Sequence, residues 1–552
     1  MLLDTRDFGA ILVVSLTFFL VASWELGAAE VPLSVWRSTG REDFLLMLED
    51  YSDVGAIYVL IKQGTFRVTI YSDHPDGWNE EKTISMQGYY RWEEIDLDCQ
   101  TQFVRFFFEQ SYGEIAEIVV LDGESRKVKI RAIEGAGSEE LLTLVDEQEE
   151  AKVPPTYFSE TFFDEIYYVR AAEDYLNHRE PYEWTHPPLG KLIIAVGIWV
   201  FGYSPFGWRI VGVLFATMMV PVIYLLGKSM FGTWMGGFAP AFLLTFDFMH
   251  FTMGRISTVD TFAIFFSLTS HLFFFIYFQR ALKEGFKASF RPLLFAVLFF
   301  ALGFSTKWYV LYGFAGQGAI LVTLTLKSLL SSRGESIARV KSFLGYRLLT
   351  VIGFVLIAAA IYCLTFVPYV MIGHTLKEVY ERQWTMFTYH STLTASHPFS
   401  SQWWSWPLML RPVWLYVSDL EGGLVSTIAA FGNPGVWWVG FGSIILLVGK
   451  AIKSRDGISS FVVTVFLFQW LPYALITRCT FLYHFYINVP FLCLAITCFL
   501  VEAGTRRRDR LVCSAYLLGV TVLFTSFYPV ISGYPVPSWW RECLRWLNSW
   551  GF

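Results

Sequence analysis

Charged residues and cysteines are both scarce in this sequence. Only 16% of its 552 residues are charged, whereas 54% are hydrophobic and 18% are aromatic, and the mean hydropathy is +0.45. A chain of this length with so few charges is too apolar for a soluble enzyme. The composition therefore predicts a protein that crosses a membrane several times.

The seven cysteines show no pattern. Four of them lie inside apolar runs, and the three that we expect in or near an aqueous phase are Cys99, Cys479 and Cys543. No spacing matches a disulfide framework or a metal site, and nothing in the sequence is typical of nucleic-acid binding. We therefore expect no resident metal, no cofactor and no nucleic-acid partner.

Hydrophobic runs recur along the chain. The first covers residues 9–28, and further runs are centred near residues 217, 241, 268, 298, 318, 358, 442, 468, 492 and 520. Together they predict a polytopic α-helical membrane protein with about eleven transmembrane helices. The first run is expected to be retained as a helix, but a cleaved signal peptide is the alternative because residues 27–29 are small.

Basic residues mark four of the connections between these runs. They are Arg280, Lys283, Lys287 and Arg291; Lys327, Arg333, Arg339, Lys341 and Arg347; Lys450, Lys453 and Arg455; and Arg506, Arg507, Arg508 and Arg510. By the positive-inside rule these connections are cytoplasmic. The same alternation predicts a cytoplasmic N-terminus in the cell membrane, with residues 30–150 and Asp164 on the outer side.

Residues 30–150 differ from the rest of the chain. Short runs of alternating apolar and polar residues, separated by Gly, Asp and Pro, predict an extracytoplasmic antiparallel β-sandwich inserted after the first helix. The runs RWEEIDL, TQFVRFFFE and IAEIVVLDG resemble a galactose-binding or discoidin-like domain, which implies a glycan ligand. The acidic residues 139–150 are expected to form a solvated linker.

The predicted domains follow from these patterns. They are residues 1–29 (first transmembrane helix), 30–150 (β-sandwich), 151–204 (linker and juxtamembrane loop), 205–530 (transmembrane domain) and 531–552 (extracytoplasmic tail).

An adjacent pair of carboxylates, Asp164 and Glu165, lies in the juxtamembrane loop. Thr161, three residues before Asp164, predicts the start of a helix that ends near Asn177. Neighbouring side chains on a helix point about 100° apart, so one carboxylate is expected to face a substrate while the other anchors the loop. The alternative is structural, because a carboxylate in the first turn gains up to about 1 kcal/mol from the helix dipole.

Polar residues interrupt the apolar sequence at four further places. They are Arg255 with Asp260, Lys307, Arg411, and Arg478 with His484. Cations at the ends of transmembrane helices can converge on a phosphate group. The alternative for each is that its long side chain reaches the lipid headgroups.

Three more candidates have ordinary explanations. His186 and His397 each precede a proline, where a histidine more often forms a turn than acts in catalysis. Trp404 belongs to the tryptophan-rich run at 401–407, which is typical of a membrane-interface belt. Stacking on a sugar ring or an isoprenoid chain is the alternative for Trp404.

Several motifs occur in an order that is found in one enzyme family. They are FFDE, THPPLGKL, GRISTVD, STKW, SHPFSSQWWSWPLMLRPVWLY, GNPGVWWVG and RCTFLYHFY. From about residue 160 to 530 the chain thus resembles the protein O-mannosyltransferases, the GT39 branch of the GT-C glycosyltransferases. The resemblance implies a GT-C fold, a polyprenyl (dolichyl) phosphate mannose donor and Ser or Thr acceptors on exported proteins. Whether such an enzyme works as a dimer is left open.

The resemblance also implies residue roles. Asp164 matches the Asp of the family's DE motif and is expected to be the general base, with Glu165 as its neighbour. Arg255 matches the Arg of the second motif, which Asp260 closes. The donor phosphate-binding candidates are Arg255, Arg478, Lys307 and His484, and a divalent ion at Asp164 is an alternative.

Two departures from the family and three rival functions remain open. The segment at 369–433 is too short for the MIR domain of eukaryotic members, and the β-domain is additional. The nearest rival is a GT-C enzyme that uses another lipid-linked sugar, or a lipid or glycan acceptor. The others are a non-catalytic membrane receptor that displays a carbohydrate-binding domain, and a transporter, although no internal repeat is apparent.

Overall fold

The computed structural model describes residues 3–38, 40–284, 290–331, 337–503 and 507–552. The chain divides into two compact units. The helical unit comprises residues 1–24, 171–196 and 209–552, and the β unit comprises residues 25–170 and 197–208.

The secondary structure is mainly helical after residue 165. The helices are α1 (Thr5–Ser23), α2 (Ser138–Leu141), α3 (Glu165–Leu176), α4 (Leu189–Phe201), α5 (Pro205–Phe231), α6 (Trp234–Thr245), α7 (Phe248–Arg255), α8 (Asp260–Glu284), α9 (Phe290–Phe304), α10 (Val310–Ser331), α11 (Ile337–Thr365), α12 (Val367–Met371), α13 (Leu376–Thr392), α14 (Pro434–Ser454), α15 (Gly457–Trp470), α16 (Val489–Ala503), α17 (Arg507–Ser532) and α18 (Ser538–Cys543). The strands are β1 (Trp36–Ser38), β2 (Glu42–His74), β3 (Gly77–Leu121), β4 (Ile130–Gly135), β5 (Val413–Leu420), β6 (Leu424–Ala430) and β7 (Val536–Pro537).

The predicted hydrophobic runs are all helices. Within the described residues, nine helices are long and apolar enough to cross a membrane, and α4, α6 and most of α9 are shorter apolar helices. The predicted centres after residue 188 fall inside α5, α6, α8 to α11 and α14 to α17. The protein is therefore a polytopic helical membrane protein, as the composition predicted.

The basic residues that indicated the orientation are described only in part. Lys287, Arg333 and Arg506 lie outside the described residues, as do the side chains of Arg339, Lys341, Arg347, Arg507 and Arg508. The orientation in the membrane stays a prediction.

Polar side chains fix helix ends inside the helical unit. Asp4 caps α1 by accepting hydrogen bonds from the backbone N–H groups of Arg6 and Asp7. The buried Asp7 carboxylate then binds Lys228 and Tyr224 of α5 at 2.9 and 2.7 Å, so α1 is held to α5 by a buried ion pair.

The segment between α11 and α14 contains structure that the sequence did not indicate. Thr375 and Glu378 form a capping box that begins α13. Strands β5, β6 and β7 form a small antiparallel sheet in that order, so the C-terminal tail pairs with residues 424 and 425. The side-chain N–H of the buried Trp550 donates to the carbonyl of Met409, which further ties the tail to this segment.

The β unit is built around one long, curled hairpin. β2 and β3 pair antiparallel from Glu42–Phe108 to His74–Gly77, and the second half of β3 folds back to pair with β2 again, from Ala56–Leu121 to Ser72–Val104. The sheet order is β1-β3-β2-β4. The sequence thus predicted the antiparallel β-domain, and its likeness to galactose-binding domains stays a prediction.

The curled sheet encloses an aromatic and aliphatic core. Phe44 and Phe106 stack at 5.1 Å between ring centroids, and Trp36 packs on Phe44 and Phe108 at 5.7 Å. The curl needs a glycine at Gly113, whose φ is +153°, because a Cβ atom there would lie 2.1 Å from the carbonyl oxygen of Gln63.

Two segments that were not predicted as strands of the sandwich belong to the β unit. The acidic residues 139–150 do not form a solvated linker, since Leu141 and Leu144 are buried and Glu147 accepts the backbone N–H groups of residues 33 and 34 at 2.7 Å. Residues 197–208 also join this unit: the backbone N–H of Phe206 donates to the carbonyl of Ala28.

Candidate active site

Asp164 lies immediately before α3 and Glu165 begins it, and both residues belong to the β unit. The backbone carbonyl of Asp164 accepts the N–H groups of Tyr167 and Tyr168, so Asp164 precedes the first helical turn. The fully buried Glu165 accepts the backbone N–H of Phe162 at 3.3 Å. Glu165 thus anchors the loop, while Asp164, which is only partly buried, stays the candidate for substrate contact.

Thr161 does not cap this helix as the sequence suggested. Its hydroxyl group donates to the carbonyl of Tyr89 at 2.6 Å, and its backbone N–H donates to the carbonyl of Tyr90 at 3.0 Å. The segment before α3 is therefore attached to β3, and α3 starts later than the Thr161 pattern implied.

In the helical unit, a buried lysine holds the loop that contains His186. Lys191 donates to the carboxylate of Glu183 at 2.8 Å and to the carbonyls of Glu183 and His186 at 2.7 and 2.8 Å. Nδ1 of His186 lies 3.1 Å from the same carboxylate. Burial lowers the pKa of His186, although Glu183 opposes the change. His186 is therefore a positioned, neutral ring rather than a charged one.

Also in the helical unit, an ion pair joins α8 to the segment after α9. The Lys307 ammonium group lies 2.9 Å from both carboxylate oxygens of Asp260, and the hydroxyl of Tyr309 lies 3.3 Å from one of them. Lys307 and Asp260 are 8% and 3% exposed. The two predicted residues thus meet, and Asp260 neutralises much of the Lys307 charge.

A pair of backbone and side-chain hydrogen bonds joins two segments of the helical unit that are far apart in sequence. The backbone N–H of Ser401 donates to the carbonyl of Thr480 at 2.8 Å, and the Thr480 hydroxyl donates back to the Ser401 carbonyl. This pairing stacks Trp406 on His484, with ring centroids 6.1 Å apart and planes 16° apart. The buried indole beside His484 is therefore Trp406.

Arg478 contributes an uncompensated positive charge. Its charge acts on His390 and His484, so Arg478 lies within electrostatic range of both histidines. Within the described part of the chain, its guanidinium forms no ion pair and no hydrogen bond. Because Lys307 already binds Asp260, Arg478 is the cation in this group that is available to an anion.

An apolar groove of about 560 Å³ lies among α8, α9, α10 and α11. Most of its lining is aromatic and aliphatic and includes Phe300, Phe304, Phe314, Leu321 and Val355. Tyr362 also lines the groove, and its hydroxyl accepts the indole N–H of Trp308 at 3.1 Å. Trp308 directly follows Lys307 in the sequence, so this hydrogen bond links a residue that lines the groove to the segment that contains Lys307.

Four predicted candidates have other contacts. Arg255 donates to the carbonyls of Ala22 and Trp24 at 2.8 and 2.7 Å and so holds the end of α1. Arg411 is exposed, and among the described residues its guanidinium approaches the carbonyl of Ser400 at 3.5 Å. His397 is exposed, and its Nδ1 accepts the backbone N–H of Phe399. The Trp404 side chain is 54% exposed, as a membrane-interface residue would be.

The sequence reasoning missed several residues of the site. Lys191 and Trp406 lie in motifs whose roles were assigned to other residues, and Glu183 and His390 lie outside the quoted motifs, so none of the four gave a separate signal. The proline-rich EWTHPPLGK segment does carry a usable hint, since a Glu and a Lys that flank a rigid turn can pair across it.

The β unit contains a separate group of carboxylates that could hold a metal ion. Oxygen atoms of Glu117, Asp146 and Glu147 lie within 4.8 Å of one another. The oxygens already have donors, including the backbone N–H of Glu147 on Glu117 at 3.0 Å and Ser34 on Asp146 at 2.8 Å. Burial raises the pKa of Glu117 to about 8, although Gln148 and the backbone of Glu147 oppose the change.

Comparison with known proteins identifies the relatives of the chain. Residues 185–362 match the family model described as dolichyl-phosphate-mannose-protein mannosyltransferase, and residues 375–550 match that of the C-terminal four-transmembrane region of protein O-mannosyltransferases. A polyprenol-phosphate-mannose–protein mannosyltransferase of Mycobacterium tuberculosis is 25% identical over 456 residues, which cover 70% of this chain and 86% of the relative. Its counterpart from Corynebacterium glutamicum is 24% identical, covering 66% of this chain and 81% of the relative.

A solved structure has the same fold. The protein O-mannosyltransferase Pmt1-Pmt2 complex of S. cerevisiae, bound to the sugar donor, superposes with a TM-score of 0.62 at 12% sequence identity. The match covers 71% of this chain and 89% of the yeast chain. The two family models together span most of the helical unit. The chain belongs to the protein O-mannosyltransferase family of GT-C glycosyltransferases.

Proposed function

We propose that this protein moves mannose from a polyprenyl or dolichyl phosphate to Ser and Thr hydroxyl groups of exported proteins. The family and the names of the bacterial relatives support this donor and this acceptor class. The observation that carries the proposal is Arg478, which forms no ion pair among the described residues and whose charge, like that of Lys307, acts on His484 and His390.

The lipid phosphate is the leaving group, and its charge increases as the sugar–phosphate bond breaks. Cations that are held in place in a site of low dielectric stabilise that charge without reorganising. Arg478 is the first candidate because it has no carboxylate partner among the described residues. Lys307 and His484 contribute from the same group, and Arg255 is proposed on the family resemblance.

The prenyl chain of the donor would occupy the apolar groove among α8 to α11. A volume of about 560 Å³ accommodates several isoprene units. The hydrogen bond from Trp308 to Tyr362 lies where the groove meets the residue next to Lys307. A lipid in the groove would thus present its phosphate toward the cations.

Asp164 is proposed as the general base, on the family resemblance. A Ser or Thr hydroxyl is a weak nucleophile at neutral pH, so a carboxylate must accept its proton as its oxygen bonds to the anomeric carbon. The bond from that carbon to the phosphate oxygen breaks in the same step, and the lipid phosphate departs. This direct displacement inverts the sugar configuration and needs neither a covalent enzyme intermediate nor a metal ion.

We further propose an orientation in the cell membrane and a ligand for the β unit. The basic connections favour a cytoplasmic N-terminus, with the reaction and the β unit on the outer side of the cell membrane. The strand pattern favours a glycan or polypeptide ligand for the β unit. If removal of residues 30–150 from an otherwise folded enzyme changed neither acceptor range nor activity, this role of the β unit would be rejected.

The test is transfer of radiolabelled mannose from synthetic polyprenyl phosphate mannose to Ser/Thr peptides by the purified protein. We expect transfer with EDTA present, and none with Asp164→Asn. Parallel reactions with other lipid-linked sugars decide the sugar. Turnover with another sugar but not with mannose would overturn the proposal.

A further inference from the structure

Helix α13 has an exposed apolar side. Because successive residues of a helix are rotated by about 100°, four large side chains of α13 fall within one quarter of its circumference. These four residues, called here the exposed stripe, are Leu376, Tyr380, Trp384 and Phe387. Each of them is 53–78% exposed. Large apolar side chains grouped on one surface mark a site of contact with another molecule or with lipid.

The other two sides of α13 differ from the exposed stripe. One side packs on the helical unit, where the buried Met386 and the neighbouring Val379 belong to a cluster that also includes Tyr362. The side opposite the packed one is polar and exposed, and there Lys377 and Glu381 form an ion pair at 3.4 Å. Leu, Trp and Phe on one side of a helix and charged residues on another are typical of a helix that lies in a membrane surface.

Hydrogen bonds fix the rotation of α13 about its axis. The side-chain oxygen of Gln383 accepts the hydroxyl of Tyr362, which lines the apolar groove, at 2.6 Å. Arg382 donates to the carboxylate of Glu180 at 2.8 Å. These bonds are made on the packed side of α13, so the exposed stripe is held outward and cannot turn in to bury itself.

The surface next to the exposed stripe faces lipid. Of the residues Leu348–Thr365, the stretch of α11 that is long and apolar enough to cross a membrane, 6% are buried. Tyr362 lies in the last turn of α11, so its bond to Gln383 places α13 beside the end of a membrane span. The end of a span lies at the membrane surface, where Tyr and Trp are the preferred residues.

We infer that α13 is a membrane-surface helix whose exposed stripe lies in the bilayer, at the boundary between headgroups and acyl chains. The partner of this surface is thus the lipid itself, and the inference does not depend on the proposed reaction. Because Gln383 of the same helix binds Tyr362, the contact with the bilayer also fixes the end of the apolar groove at the level of the headgroups.

The test measures the depth of α13 in nanodiscs by electron paramagnetic resonance of the full-length chain. Each residue of the exposed stripe is replaced in turn by cysteine and spin-labelled, in a background in which the accessible native cysteines are replaced by alanine. Collisions of the label with oxygen, which concentrates in lipid, and with a water-soluble nickel chelate are compared. Lys377→Cys and Glu381→Cys are matched controls on the polar side of the same helix. Leu356→Cys, at an exposed position of α11, calibrates the signal from lipid.

We expect the labels on the exposed stripe to collide more often with oxygen than with the nickel chelate, at a depth of about 5–10 Å in the bilayer. The labels at Lys377 and Glu381 should show the reverse order. Thermal unfolding of each labelled variant is measured, and a variant that fails to fold is left out, because the other positions of the exposed stripe still carry the test.

Two results would overturn the inference. More frequent collisions of the stripe labels with the nickel chelate would show that this side of α13 faces water. Protection of the stripe labels from both reagents would show that it is covered by protein, such as a second copy of this chain.

Discussion

The ammonium group of Lys307 lies 2.9 Å from both carboxylate oxygens of Asp260, and both side chains are buried in the helical unit. A buried pair of this kind is sensitive to the loss of one partner, because the remaining charge has no solvent around it. The pair also limits how much of the Lys307 charge can act on a substrate.

Replacement of one partner should therefore cost more stability than replacement of both. We expect Asp260→Asn to lower the free energy of unfolding by about 3–5 kcal/mol and the double variant Asp260→Asn/Lys307→Met to lower it by less. Denaturant unfolding in detergent micelles measures both. Strictly additive losses would show that the two charges are not coupled.

Replacement of Arg478 should lower activity without lowering stability. Since it has no ionic partner among the described residues, Arg478→Ala should leave the melting temperature unchanged and lower kcat/KM for the lipid donor by about 10–100-fold. Arg478→Lys should restore part of the loss. Arg411→Ala, which removes an exposed arginine, is the matched control. Full activity of Arg478→Ala would exclude a role in binding the phosphate.

Replacement of each of the two adjacent carboxylates at the start of α3 should have a different effect on activity and stability. Asp164→Asn is expected to abolish transfer, a loss of at least about 100-fold, with normal unfolding and donor binding. Glu165→Ala removes the acceptor of the Phe162 N–H and should lower thermal stability as well as activity. Single-turnover kinetics and thermal unfolding of both variants distinguish the roles. Normal single-turnover rates for Asp164→Asn would assign the base elsewhere.

The buried Glu117 should make the β unit less stable as pH rises. Its pKa is raised to about 8 in the folded protein, from an ordinary value of 4.5, so the folded state holds a proton that the unfolded state releases. The stabilisation is complete below about pH 4.5 and is lost as pH rises toward about 8. Hydrogen exchange across β3 should therefore be faster at pH 8 than at pH 6, after correction for the intrinsic rate.

Glu117→Gln is the control for this pH dependence. The amide keeps the size of the side chain and cannot titrate, so the corrected exchange rate of β3 should become independent of pH between 6 and 8. A slope that persisted in Glu117→Gln would assign the effect to another group.

Hydropathy was sufficient to predict the membrane-spanning helices, but not the site between them. In lipid, each apolar run must form its backbone hydrogen bonds within itself, and only a helix allows this. The run centred near residue 268 therefore forms α8. The pairing of Ser401 with Thr480 joins segments that no sequence periodicity connects. It places the ring of Trp406, and not that of Trp404, against His484. Motif order placed Lys307 and Arg478 among the candidates, whereas only the fold shows which of them is already neutralised.

Long-range packing also decided the roles of single side chains. Arg255 matched a family motif, yet its guanidinium holds the carbonyls of Ala22 and Trp24, which lie more than 200 residues earlier. His390 could not be singled out because its contact with the carbonyl of Thr185, about 200 residues earlier, exists only once the chain is folded.

The contribution of residues 197–208 to the β unit has a consequence for the order of synthesis. The Tyr203 hydroxyl lies 2.9 Å from that of Tyr89, and the Tyr203 and Trp208 rings both pack against Tyr90. Residues 25–170 leave the ribosome well before these partners do. The contacts of Tyr203 and Trp208 with β3 can therefore form only after α4 has been translated, so this part of the β unit is completed during synthesis of the membrane-spanning helices.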